Sequence, residues 1–229
     1  RQYREDVINA CDTLAEAALT LDKIRVFYNH PGFIEPMVEK TQHALDHFDP
    51  AVRDDVHLVF TAHSIPISMA EHCDYVVQLE EACRLVAERI GTTNYRLVYQ
   101  SRSGPPQIPW LEPDVGDYLS QINAEGIKNV VIVPIGFISD HMEVLFDLDT
   151  EAKDLAAELD MTLVRAATVG THPAFITMIH ELIVERMSEH PERRFLGERG
   201  ANHDICPLDC CLKGASGRPV QSHENPSIH

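Results

Sequence analysis

The 229-residue sequence is short of positive charge. It has 19 Lys and Arg residues against 36 Asp and Glu residues, and its formal net charge is −17 at pH 7. A chain with this balance repels phosphate backbones and anionic lipid surfaces, whereas it attracts cations. Long apolar runs are also lacking, since none approaches the roughly 18 to 20 residues that a membrane-spanning helix needs. We therefore expect no nucleic-acid partner and no transmembrane segment.

Cysteine is sparse and unevenly placed. Cys11 and Cys83 fall in helical patterns, where a free cysteine behaves as a small apolar residue. Three of the six cysteines crowd into CPLDCC near the C-terminus, too tightly for an ordinary disulfide framework. This usage favours a reducing compartment, and we expect a cytoplasmic location.

Apolar residues follow a strand pattern and a helix pattern in alternation. Strands are predicted at 24–28, 56–62, 95–100, 130–135 and 162–167. Helices are predicted at 3–20, 33–48, 76–90, 115–124, about 143–159 and 173–187. This alternation predicts an α/β fold, with a doubly wound parallel sheet and helices on both of its faces. Ligands of such sheets bind beyond the carboxyl ends of the strands, which directs attention to the loops that begin at His63, Ser101 and Gly136.

The loop at Gly136 leads into an acidic stretch. Glu143, Asp147 and Glu151 are spaced at i, i+4 and i+8, so a helix would place them on one face, and His141 lies just before them. Such a stripe is usually a solvated helix face, and the spacing alone favours that interpretation. Its position directly after a buried strand favours instead a site for a metal ion or for protons.

The loop at His63 also follows a buried strand. A neutral imidazole can accept a proton or ligate a divalent metal near pH 7, and it can equally cap the turn that follows. Because two strand ends meet at one edge of the sheet, we expect His63 and Glu143 to face the same cleft.

The loop after the third predicted strand is rich in proline. Arg102 could pair with a carboxylate of a ligand, and Trp110 could either stack on a flat ligand or fasten the loop to the core. Ser101 is a further polar residue at the start of this loop.

Three stretches resemble a known family in their sequence and in their order along the chain. AHSIP (62–66), YQSRSGPPQIPWLEP (99–113) and PIGFISDHMEVLFDLDTE (134–151) resemble the signature stretches of the ferrochelatases, which insert ferrous iron into a porphyrin. The resemblance implies His63 and Glu143 as the catalytic pair. It implies metal contacts at His63, Glu143, His141, Asp147 and Glu151, and substrate contacts at Ser101, Arg102 and Trp110. The implied partners are a porphyrin, ferrous iron and, by extension, other enzymes of haem synthesis.

The C-terminal cysteines point to one branch of that family. Some bacterial ferrochelatases, including the actinobacterial ones, hold a [2Fe–2S] cluster with one internal cysteine and three near the C-terminus. The resemblance implies the ligands Cys73, Cys206, Cys210 and Cys211, and four thiolates suit such a cluster. It also implies coproporphyrin III, rather than protoporphyrin IX, as the substrate. Reduced surface thiols or a zinc site are the alternatives for these cysteines.

The resemblance also predicts a division of the chain. The family has a leading domain, ahead of the part that this chain matches, and the sequence begins at Arg1 rather than Met. We expect a lead-in helix at 1–22, the second chelatase domain at 23–170, a C-terminal helix at 171–190 and an irregular cysteine-containing tail at 191–229. Two other functions stay open: a cobalt or nickel tetrapyrrole chelatase, and a non-catalytic metal or iron–sulfur binding protein.

Overall fold

A parallel sheet of four strands forms the centre of the protein in the computed structural model, which describes residues 2–13, 21–105 and 107–205. The strands are β1 (His57–His63), β2 (Tyr95–Gln100), β3 (Asn129–Val133) and β4 (Thr162–Arg165), in the order β2-β1-β3-β4. Every pair of neighbours is parallel, and His63 lies opposite Gln100 in the register. The predicted parallel sheet is therefore confirmed.

Eight α-helices accompany the strands in the described part of the chain. They are α1 (Gln2–Thr13), α2 (Pro31–Leu45), α3 (Ile67–Ala70), α4 (Tyr75–Ile90), α5 (Val115–Ala124), α6 (Met142–Phe146), α7 (Ala152–Glu158) and α8 (Pro173–Met187). None of these helices is long and apolar enough to cross a membrane. Local signals fix several ends: His30 caps α2, Asp114 caps α5, and Gly91 closes α4 in the left-handed conformation at φ 84°.

Helices cover both faces of the sheet, as a doubly wound fold requires. On one face α2, α4 and α8 pack against β1 and β3 through Phe33, Met37, Leu58, Phe60, Val86, Val131, Phe175, Met178 and Leu182. On the other face α5, α6 and α7 pack through Val59, Val98, Leu119, Ile122, Val130, Ile132, Val144, Leu148 and Ala156. The chain leaves β1 toward the first face and β3 toward the second. The crevice between these adjacent strands is the switch point where such sheets hold their ligands.

The predicted strand at 24–28 is wrong, because these residues form no strand. Side chains hold the segment in place instead of a backbone ladder. The fully buried Arg25 side chain pairs with Glu185 of α8, with Nε 2.7 Å from Oε1. The Phe27 ring packs edge-on against Phe33 and Phe175, with ring centroids 5.8 and 5.6 Å apart. The apolar pattern at 24–28 therefore results from packing against helices and not from pairing within the sheet.

The acidic helix differs from the prediction in its local form. It begins at Met142, and one π-helical turn at Asp147–Glu151 separates α6 from α7. The strands before and after it also end two residues earlier than predicted, at Val133 and Arg165. The first helix is described only over Gln2–Thr13, and the remainder of its predicted length lies outside the described residues.

Residues 191–205 form no helix or strand, and several of them are hydrogen-bonded to the folded core. The buried Asn29 donates from Nδ2 to the carbonyl oxygen of Gly200 at 2.8 Å, and its own carbonyl accepts from the Leu196 N–H at 2.8 Å. Arg25 donates to the carbonyl oxygen of Arg194 at 2.8 Å. The first part of the tail therefore belongs to the same folded unit as α2 and α8.

Candidate functional site

A glycine brings the two strand ends of the crevice close together. The Gly136 N–H donates to the carbonyl oxygen of Thr61 in β1 at 3.0 Å. A Cβ at Gly136 would lie 2.6 Å from the Ala62 Cβ and 2.8 Å from its Cα, closer than carbon atoms pack. Only glycine permits this approach, which sets the loop after β3 directly beside the end of β1.

His63 and Glu143 meet at this edge, as the sequence predicts. The Nε2 atom of His63 lies 3.1 Å from Oε1 of Glu143, and the two side chains are 38% and 40% exposed. The other ring nitrogen, Nδ1, lies 2.5 Å from the carbonyl oxygen of Ser64. That carbonyl can only accept, so Nδ1 carries a hydrogen and Nε2 faces the carboxylate. Nε2 is therefore the ring nitrogen that can accept a proton or bind a metal ion at the cleft, with the Glu143 carboxylate beside it.

The backbone around His63 is anchored from below. Tyr75 donates from its hydroxyl to the carbonyl oxygen of His63 at 2.9 Å. Burial raises the pKa of Tyr75 to about 12, so the hydroxyl keeps its proton for this bond. Ser64 is held by its N–H on the carbonyl of Gln100 at 2.8 Å and by its hydroxyl on the carbonyl of Leu111 at 2.9 Å. These hydrogen bonds fix the backbone that carries the His63 ring.

Asp147, four residues after Glu143 in the π-helical turn, contacts the carboxyl end of β2. Its Oδ2 accepts from Nε2 of Gln100 at 3.1 Å and from the Ser101 hydroxyl. Ser101 adopts a left-handed backbone with φ 60°, which is uncommon for a residue other than glycine and is typical of functional sites. Asp147 and the predicted substrate residue Ser101 are thus joined to each other.

His141 and Glu151 are both exposed on the same acidic segment. The His141 ring packs edge-on against Phe137, with centroids 5.5 Å apart. Within the described residues no group of three or more His, Cys, Asp or Glu side chains is arranged to hold a metal ion. The five predicted metal residues therefore do not form a single coordination site in the described structure.

The other predicted substrate residues occupy the loop after β2. Arg102 is exposed and donates to the carbonyl oxygen of Ile108 at 3.4 Å. Trp110 is half-buried, and a Cβ at Gly104 would lie 3.3 Å from its ring, so the indole covers its own loop. Trp110 also forms an isolated backbone bridge with Pro66. These contacts fit fastening of the loop, one of the two roles that the sequence left open.

Large apolar side chains are exposed on the segments that follow β1, β2 and β3. Met142 and Phe146 of α6 are 80% and 54% exposed. The set comprises Ile67, Met69, Ile108, Ile138, Met142, Leu145 and Phe146. Exposed apolar groups in this number around a polar pair are typical of a surface that binds an apolar partner or ligand.

One charged residue beside the site was not predicted from the sequence. Arg165, the last residue of β4, donates from Nε and Nη2 to the two carboxylate oxygens of Asp149 at 2.7 and 2.8 Å, and from Nη1 to Asp140 at 2.9 Å. These hydrogen bonds to Asp149 raise the pKa of the Arg165 guanidinium above its ordinary value. The rule that identified His63, a polar residue at the carboxyl end of a strand, also applies to Arg165.

Of the four predicted cluster cysteines, Cys73 alone belongs to the described part of the chain. It is a free thiol in the turn between α3 and α4, partly exposed, with Sγ 3.2 Å from the carbonyl oxygen of Met69. Cys206, Cys210 and Cys211 lie beyond residue 205, where the description stops.

Comparison with known proteins decides the family. The ferrochelatase family model matches residues 1–187. The chain belongs to the ferrochelatase family. A ferrochelatase from Rhodopirellula baltica is 49% identical over 97% of this chain, and a coproporphyrin III ferrochelatase from Streptomyces coelicolor is 46% identical over 99%.

This ferrochelatase-family chain covers only part of those relatives. It spans 65% and 66% of the length of the two proteins. Among solved structures, the sirohydrochlorin chelatase SirB from Bacillus subtilis in complex with cobalt is similar, with 15% identity, a TM-score of 0.45, and coverage of 81% of this chain and 63% of that chain.

Proposed function

We propose that this chain carries the catalytic centre of a ferrochelatase that inserts Fe²⁺ into coproporphyrin III in haem synthesis. The observation that carries the proposal is the His63–Glu143 pair, with 3.1 Å between Nε2 and Oε1, at the carboxyl edge of the sheet. The family match and the names of the similar proteins support the reaction and the substrate.

The chemistry of metal insertion suits this pair. A porphyrin gives up two pyrrole N–H protons as it takes up Fe²⁺, so a base must stand at the face of the macrocycle. His63 Nε2 accepts one of these protons, and Glu143 stabilises the imidazolium that results. The second proton leaves to solvent by way of the exposed carboxylates of the acidic segment. Because Nδ1 is held by the Ser64 carbonyl, the accepting nitrogen is already turned toward the carboxylate and the cleft.

The surroundings of the pair suit a flat apolar substrate. The exposed apolar residues of α3, α6 and the intervening loops offer contact area for the macrocycle, and Arg102 offers a positive charge for a propionate. His141 and Glu151 serve as exposed donors for the approaching metal, while Asp147 is fixed by Gln100 and Ser101. Trp110 contributes to substrate binding indirectly, because its contacts with Gly104 and Pro66 fix the conformation of the loop after β2.

Anaerobic insertion of Fe²⁺ into coproporphyrin III tests the proposal. The chain is assayed alone and together with whatever coding sequence lies upstream, and Co²⁺ and Ni²⁺ are offered in parallel. We expect Fe²⁺ insertion that falls at least about 100-fold in His63→Ala and in Glu143→Gln.

The matched control is Glu39→Gln. Glu39 also pairs with a histidine, with Oε2 3.2 Å from Nε2 of His172, but it lies on α2 away from the strand ends. It should leave the rate unchanged. Equal losses in Glu39→Gln and Glu143→Gln, or no metal insertion in any form of the protein, would overturn the proposal and favour a binding protein or another chelatase.

We further propose that Cys73, Cys206, Cys210 and Cys211 bind a [2Fe–2S] cluster. Cys73 is partly exposed and free, as a ligand must be. Gly200, six residues before Cys206, is held against Asn29, and Gly197 lies against the Glu81 and Arg84 side chains of α4, so this part of the tail is beside α4. Cluster formation would then stitch the tail to the loop at Cys73.

Replacement of Cys73 by serine tests the cluster. The brown colour should bleach and the melting temperature should fall together. Cys11→Ser, which changes a free cysteine outside the four, should preserve both. A colourless wild-type protein that contains zinc would identify the zinc alternative, and lost colour at an unchanged melting temperature would exclude the stitching role.

The division into 1–22, 23–170, 171–190 and 191–229 remains our proposal for the domain organisation. The boundaries at 170 and 190 separate segments that share one core, because α8 and Leu196 pack with residues of the 23–170 segment. Cytoplasmic location and contacts with other enzymes of haem synthesis stay predictions.

A further inference from the structure

Arg165 joins the two ends of the segment that carries Glu143. Its guanidinium forks onto Asp149, in the π-helical turn after Glu143, and reaches Asp140, in the loop before Glu143. The arginine side chain is only 14% exposed, whereas those of Asp140 and Asp149 are 36% and 33% exposed. A shielded, forked ion pair of this kind fixes geometry as well as charge.

Backbone N–H groups of the residues after β4 also donate to the loop before Glu143. The Thr168 N–H donates to Oδ1 of Asp140 at 3.4 Å, and the Gly170 N–H donates to the carbonyl oxygen of Ile138 at 2.9 Å. On the opposite side, Gly136 is bonded to Thr61 of β1. The loop is therefore hydrogen-bonded both to β1 and to the residues that follow β4. Arg165 adds an ion pair to these contacts.

We propose that Arg165 is a positioning residue for Glu143 in metal insertion. It touches neither member of the His63–Glu143 pair in the described contacts, and it acts by fixing both flanks of the segment from which Glu143 projects. Its positive charge also offsets the two carboxylates of Asp140 and Asp149 next to the site. This inference rests on the proposed function for its catalytic consequence, but its structural part can be measured without activity.

Two substitutions separate geometry from charge. Arg165→Gln removes both, whereas Arg165→Lys keeps the charge but cannot fork onto Asp149 and reach Asp140 together. We expect kcat for Fe²⁺ insertion to fall about 10- to 100-fold in both variants, as for residues that orient a catalytic group, with KM for the porphyrin unchanged. Full activity in Arg165→Lys would overturn the positioning role in favour of a charge effect.

Arg84→Gln is the matched control. Arg84 forms the same pattern on α4, forking onto Glu81 with two 2.9 Å bonds and reaching Glu88 with a third. Its loss should leave kcat unchanged. A similar fall in Arg84→Gln would mean that the effect of Arg165→Gln is general destabilisation, which would also overturn the inference.

Hydrogen–deuterium exchange gives a readout that does not need activity. In Arg165→Gln, amide exchange should accelerate over residues 138–146 and stay unchanged in β1, with exchange over 138–146 unaltered in Arg84→Gln. Unaltered exchange over 138–146 in Arg165→Gln would overturn the inference even if the wild-type protein inserts no metal. If the wild type is active and Arg165→Gln matches it in kcat, the inference fails while the proposed function stands.

Discussion

His30 should make the stability of this protein depend on pH between 4 and 6.5. Its side chain is 1% exposed, its Nδ1 accepts from the Gly32 N–H at 3.0 Å as the cap of α2, and its Nε2 lies 3.6 Å from Glu181. Burial, reinforced by the nearby Arg25 charge, lowers the pKa of His30 from 6.5 to about 4. The folded state therefore holds a neutral imidazole that accepts the capping bond.

The size of the effect follows from proton linkage. As the pH falls below 6.5, the unfolded chain binds a proton at His30 before the folded protein does, so protonation favours unfolding. The free energy of unfolding should fall by about 2 kcal/mol between pH 7 and pH 5, and by about 3 kcal/mol by pH 4, from this residue alone. Above pH 6.5 the contribution is complete, and well below pH 4 no more is lost.

Urea unfolding from pH 7 to pH 4, compared with His30→Asn, measures this contribution. An asparagine oxygen can cap the helix without titrating, so the variant should lose about 2 kcal/mol less than the wild type between pH 7 and pH 5. The other histidines and the carboxylates titrate in both proteins and cancel in the difference. Parallel pH profiles for the two proteins would refute the reasoning.

Three other tests, which use four substitutions, address the fold and the site. Gly136→Ala should lower the unfolding free energy by about 1 to 3 kcal/mol, measured in urea, because its Cβ would meet Ala62 at 2.6 Å; an unchanged midpoint would mean that the loop is not held against β1. Arg25→Met should cost about 3 to 5 kcal/mol by stranding Glu185, and adding Glu185→Leu should recover most of that loss; additive losses would contradict the buried pair. Tyr75→Phe should lower the unfolding free energy by about 1 kcal/mol and slow metal insertion, whereas an unchanged rate would show that the bond to the His63 carbonyl does not position the ring.

Local patterns predicted the regular elements well where one residue type decides the outcome. Gly91 ends α4 at the predicted place, and α8 spans Pro173–Met187 as expected, because helix ends depend on nearby residues. The strand prediction at 24–28 is wrong because the Arg25 and Phe27 side chains hold this segment against α2 and α8, and its backbone pairs with no neighbouring strand. Sequence periodicity cannot distinguish those two forms of burial.

The site was predictable to the extent that it follows from sheet topology. His63 and Glu143 meet because the carboxyl ends of β1 and β3 are adjacent, an arrangement that motif order and the parallel sheet imply. The partners of Asp147, the fork of Arg165 and the π-helical turn depend on contacts between residues far apart in the chain. No pattern of local spacing contains them, although the position of Arg165 at a strand end could have marked it for attention.

The central claim is that His63 and Glu143 act as one catalytic unit, and a double-mutant cycle on metal insertion tests it most directly. Single-turnover rates of Fe²⁺ insertion into coproporphyrin III would be compared for the wild type, His63→Ala, Glu143→Gln and the double variant. We expect the double variant to be no slower than the slower single variant, because either change already breaks the pair. Losses that multiply in the double variant, or a wild-type rate in either single variant, would contradict the account.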